Sequence, residues 1–82
     1  MGILAARARG DLATLEQLTA EAARAGCVMM ELYGRYAIAE AERGARKEKA
    51  AVAHLREVER AASERGYGLF ARWAAEALRR KP

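Results

Sequence analysis

His54, Cys27, Ser63 and Asp11 are each the sole residue of their kind in this chain, and asparagine is absent. A nucleophile, base and orienter of the Ser/His/Asp type would need the only copy of each, gathered from distant positions. This inventory argues against catalysis. His54 adjoins Leu55 on a helical stretch whose apolar stripe excludes it, which predicts a half-exposed surface histidine rather than a base or ligand. Cys27 follows Gly26 near a helix start, a place that favours a thiolate, but its surroundings predict a small apolar filler. No Glu-x-x-His or His-Glu-x-x-His motif occurs, so neither a metal nor any other cofactor is expected.

Two further clusters carry charge or π surface. Glu40, Glu42 and Glu48 alternate with Arg43, Arg46, Lys47 and Lys49 around Gly44, which predicts a solvated loop laced by side-chain pairs, with an electrostatic docking edge as the alternative. Gly44-Ala-Arg-Lys lacks the spacing of a phosphate-binding loop, in which several backbone amides must converge. Tyr33, Tyr36, Phe70 and Trp73 recur at helical spacing and are expected to pack in the core.

Composition bounds the rest. Eighty-two residues make one domain, here rich in alanine, so much of the core energy must come from a few large side chains such as Leu15, Leu32, Leu55, Val58 and Trp73. The net charge of +4 is small and its basic residues are interleaved with glutamates. A single cysteine forbids an internal disulfide, and a reducing cytoplasmic setting fits better than secretion. No run approaches the length of a membrane span, and Met1 to Arg9 is too short and too charged for a signal peptide.

The elements that position these residues are helices throughout. Helix formers dominate, and the one proline is Pro82. Gly10, Gly26, Gly44 and Gly66 each follow an alanine- and arginine-rich stretch, as glycines do where a helix ends in a left-handed residue. Asp11 is a fitting N-cap for a helix carrying Leu12, Leu15, Leu18 (or Thr19) and Ala22 up to Gly26. From Val28 to Arg43, Met29, Leu32, Tyr33, Tyr36 and Ala37 form one stripe, and Ile38 and Ala41 widen it, which predicts a helix sandwiched between neighbours. Ala51, Leu55, Val58 and Ala62 mark a helix from about Lys47 to Arg65. Leu69, Phe70, Trp73, Ala74, Ala77 and Leu78 mark one from about Gly68 to Arg80. Ile3 to Arg9 reads as a partial helix or leader. The chain is thus all-α, a single domain over 1–82 with helical pairs at 11–43 and 45–80.

Shifted by forty positions, the chain matches itself. Leu15, Ala22, Gly26 and Ala37 fall on Leu55, Ala62, Gly66 and Ala77, and Tyr33 falls on Trp73. Such a period marks stacked repeats, in which each unit buries its apolar face on the next. The order of helix, glycine turn and broad inner helix, carried by Ala37-Ile-Ala-Glu-Ala-Glu-Arg-Gly44, Ala50-Ala-Val-Ala-His-Leu55 and Ala62-Ser-Glu-Arg-Gly-Tyr-Gly-Leu-Phe-Ala-Arg72, resembles tetratricopeptide-like repeats. It is most similar to the longer, roughly forty-residue type of bacterial regulators. The resemblance implies antiparallel hairpins stacked as a short array of about four helices, and a non-enzymatic role in binding another protein or a second copy.

An open apolar end would need such a neighbour, and the residues expected there are Ile3, Leu4, Leu12 and Ile38. The alternative is DNA binding. Leu18 to Tyr36 resembles the helix-turn-helix of TetR-type repressors, with Ala25-Gly26, Leu32-Tyr33 and Tyr36 in register. Where such a motif reads bases, this chain carries Val28, Met29, Met30 and Glu31, a poor set for a polyanion.

Overall fold

Four turns built on one pattern shape the molecule. In a computed structural model, which describes residues 2–80, helices α1 (Ile3–Arg9), α2 (Leu12–Arg24), α3 (Val28–Gly44), α4 (Glu48–Arg65) and α5 (Gly68–Arg79) follow one another without strands among the described residues. Each of the first four ends in one left-handed residue: Gly10 (φ 65°), Gly26 (φ 74°), Arg46 (φ 64°) and Gly66 (φ 79°). The next amide then reaches back five residues to a carbonyl of the finished helix. Asp11 donates to Ala6 at 3.0 Å, Cys27 to Ala22 at 2.9 Å, Lys47 to Glu42 at 2.7 Å and Tyr67 to Ala62 at 2.8 Å. This bond satisfies a carbonyl that the helix end would otherwise orphan.

The third turn departs from expectation. Gly44 does not break α3 but is its last helical residue, and Arg46 adopts the left-handed conformation instead. Gly26, Arg46 and Gly66 stand at twenty-residue intervals, and Gly44 comes two residues before that spacing.

Short turns fold successive helices against each other as antiparallel neighbours. The odd-numbered helices also meet, α1 with α3 and α3 with α5, while α2 and α4 make no mutual contact. The result is a slab of 33 × 29 × 16 Å with α3 at its centre. The sequence-predicted two-sided character of α3 holds. One core joins Ile3, Ala6, Leu15, Ala37 and Ile38, and the other joins Tyr36, Ala39, Leu55, Val58, Ala74 and Ala77. At the crossing of α2 and α3, Gly34 faces the buried Thr19 with no room for a side chain.

Four local expectations are corrected. Met29 and Leu69, expected to face inward, are each 54% exposed. They stand forty residues apart, each in the first turn of an odd-numbered helix. Beside Met29 the cover runs out, because α1 spans about 10 Å against about 25 Å for α3. Glu42, expected in a solvated loop, is buried against α4. Cys27, expected to fill a gap, is exposed at the start of α3.

Candidate functional site

The face shared by α1, α3 and α5 gathers the aromatic side chains. Helical spacing aligns Met29, Tyr33, Tyr36, Glu40 and Gly44 along α3, and Leu69, Trp73 and Glu76 along α5, with Arg80 just past its end. Their rings interlock across the two helices. Tyr33 and Phe70 lie 6.3 Å apart, Tyr36 and Trp73 5.7 Å, and Phe70 meets Trp73 edge to face at 5.4 Å. Such contacts contribute beyond the area they bury. Tyr33, Phe70 and Trp73 remain only partly buried, so this expected core also forms part of the surface.

Arg7 ties α1 onto this row. Its guanidinium lies 5.4 Å from the Tyr33 ring centre and 5.7 Å from that of Tyr36. Nε and Nη2 donate to the two Glu40 oxygens at 2.5 and 3.0 Å, and Nη1 donates to the Tyr33 hydroxyl at 2.9 Å. The Glu40 hydrogen bonds, then the Tyr33 one, hold the arginine pKa above its ordinary value. Arg43 makes the matching reach from α3 to α5, donating to the Ala77 carbonyl at 2.8 Å while gripping Glu48. Burial raises the pKa of the Tyr36 hydroxyl, Tyr36 being the most buried aromatic residue of the row.

Two openings flank the Arg7–Glu40 pair. A crevice of about 800 Å³ between α1 and α3 is lined by Leu4, Ala8, Arg9, Ala41, Gly44 and Ala45 among others. A hollow of about 350 Å³ lies on the other side, with Tyr36 and Trp73 joined by Glu76 and Arg80. Arg7 and Glu40 border both, so their ion pair stands between the two openings. The crevice is the more apolar of the two, whereas charged Arg7, Glu40, Glu76 and Arg80 make up most of the hollow's lining.

Of the four residues expected at an interaction surface, only Leu4 is presented to solvent, at 71% exposure. Ile3 and Ile38 are buried in the first core, and Leu12 packs against it, because α1 folds onto α2 and α3 of its own chain. The contribution of Arg7 had no local signal, since its carboxylate partner is 33 residues away.

His54 has a partner that the sequence did not reveal. Its Nδ1 lies 2.5 Å from Oε1 of Glu42, across the interface of α3 and α4. No Ser, Thr or Cys hydrogen-bonds to this imidazole, and no three His, Cys, Asp or Glu side chains converge on a metal position, among the described residues. At the start of α3, where a helix-turn-helix would read DNA, Met29 and Met30 are exposed and Glu31 accepts from Arg35 Nη2 at 2.8 Å. No helix among the described residues is long and apolar enough to cross a membrane. Compared with family models, curated proteins and solved structures, the chain matches none of them.

Proposed function

We propose that this chain is a non-enzymatic, tetratricopeptide-like helical module that binds a segment of another protein along its α1–α3–α5 face. The observation that carries the reading is the pair of openings on either side of Arg7 and Glu40, one lined by Leu4, Ala8, Ala41 and Ala45 and the other by Tyr36 and Trp73 with Glu76 and Arg80. Contact between alternate helices, absent between α2 and α4, supports the stacked-hairpin arrangement.

Panning a displayed random-peptide library against the intact chain tests this. Enriched peptides that lose binding on Glu76→Lys or Arg80→Glu are the expected result. Failure to enrich any peptide would overturn it, as would sequence-specific duplex binding at physiological salt that depends on Met29 or Met30. That last outcome would install the helix-turn-helix alternative.

A second copy as partner is favoured by one separate observation, the exposure of Met29, Met30 and Leu69 on the opposite half of the slab. Light scattering of wild type and Met29→Glu/Leu69→Glu decides it. A mass that rises with concentration only in the wild type is the expected result, and a monomer at every concentration excludes it.

A further inference from the structure

The fold sorts charges that the sequence interleaves. The C-terminal halves of α3 and α5, the N-terminal halves of α2 and α4, and α1 all belong to one side of the slab, because successive helices alternate in direction. Among the described residues this half carries nine arginines and lysines against six carboxylates, whereas the other half carries five against five. The whole positive excess of the described residues thus lies on one side.

Most carboxylates on that side are already engaged. Glu40 holds Arg7, Glu48 holds Arg43, Glu42 meets His54, and Asp11 caps α2. Arg9, Arg46, Lys47 and Lys49 are exposed and have no ion-pair partner among the described residues. Arg9 lines the larger crevice, and Arg46 and Lys47 follow its lining residues Gly44 and Ala45 in the chain. Within it Leu4 offers the most exposed large apolar side chain of the described residues, beside Ala8 and Ala41.

We propose that the crevice between α1 and α3 docks an acidic, amphipathic segment of a partner protein. One apolar side chain packs on Leu4, Ala8 and Ala41, and flanking carboxylates face Arg9, Arg46 and Lys47. Charge complementarity steers such a segment in, and its apolar face supplies residence. A nucleic acid fits less well: Glu40 and Glu76 stand within the same face, and an alanine and leucine floor provides nothing for phosphate. This inference rests on the protein-binding reading above and adds the chemistry of the partner.

The test uses the full chain and three labelled probes: a 16-residue peptide with leucine at every third or fourth position and glutamate elsewhere, the same peptide with lysine for glutamate, and a random duplex DNA. Fluorescence anisotropy at two salt concentrations gives affinities, and amide shift mapping gives the site. The glutamate peptide should bind at least about tenfold more tightly than the lysine peptide, and more weakly at higher salt. Its shifts should centre on Leu4, Ala8, Gly44 and Ala45. Arg9→Glu/Lys47→Glu should reduce affinity about tenfold or more, and Arg24→Glu/Arg72→Glu on the opposite half less than about twofold. Circular dichroism of these surface variants confirms that each remains folded.

Preference for the lysine peptide on the same face would overturn the acidic partner and leave the protein-binding reading standing. Preference for duplex DNA would overturn both. Binding of no probe, or shifts confined to Met29, Met30 and Leu69, would overturn the docking site itself.

Discussion

Thr19 and Gly34 meet so closely that a Cβ on residue 34 would stand 2.0 Å from the Thr19 hydroxyl oxygen and 3.0 Å from its Cβ. That hydroxyl is buried without a hydrogen-bond partner. The contact sets how near α2 approaches α3, and thereby the position of the α3 face that carries Tyr33 and Glu40.

Gly34→Ala should therefore destabilise the fold, although alanine is the better helix former by about 1 kcal/mol. Overpacking of this kind costs about 1–3 kcal/mol, which exceeds the propensity gain at all but its lower end. Thr19→Ala should recover part of the loss, because it removes the nearest atom and an unpaired buried hydroxyl. A double-mutant cycle by urea denaturation reads the coupling. Additive effects would show that the helices can separate freely.

Arg46→Gly should stabilise by up to about 1 kcal/mol, because it relieves an L-residue of a left-handed conformation. Gly44→Ala should also stabilise by up to about 1 kcal/mol, since the position is helical and a Cβ there meets nothing within 4 Å. Gly26→Val and Gly66→Val should instead cost about 1 kcal/mol or more, as both glycines have positive φ. Thermal midpoints of the four variants test the turn register directly.

His54→Ala should cost about 1–3 kcal/mol, because it strands the buried Glu42 carboxylate without its hydrogen-bond partner. Adding Glu42→Met to that variant should restore much of the stability, since an apolar pair leaves no buried charge unpaired. Equal stability of the wild type and His54→Ala in denaturant titrations would show that water already solvates Glu42.

Asp11 should lend α2 a stability that disappears in acid. Its carboxylate accepts from the Thr14 hydroxyl at 2.7 Å and the Thr14 amide at 3.2 Å. These bonds, the hydroxyl's first, lower its pKa in the folded chain. The folded value lies below the unfolded one, so the contribution is complete above the ordinary aspartate value of about 4 and fades as pH falls through the folded value. The difference in thermal midpoint between the wild type and Asp11→Ala should be clear at neutral pH and shrink steadily on acidification below that range.

Helix existence and three of the four left-handed turns were legible in the residues alone, because both signals are local. The 3.6-residue recurrence of Leu15, Leu55 and Val58 selects a helix with one buried face, and glycine marks the positions where positive φ carries no Cβ penalty. The turn at Arg46 was masked because Gly44 offered a local signal two positions away, and arginine tolerates the strain. The candidate face was half legible: Tyr33, Tyr36, Phe70 and Trp73 announced an aromatic stripe, but nothing local marked that Arg7 would complete it. Burial of Glu42, exposure of Met29 and Leu69, and the close approach of Gly34 to Thr19 depend on which helix crosses where and how far its neighbour extends. The sorting of charge onto one side was equally hidden, since it arises from reversal of chain direction at each turn. Periodicity determines which face of a helix turns inward. Tertiary packing decides which inward faces find a neighbour, which remain open, and which charges share a surface.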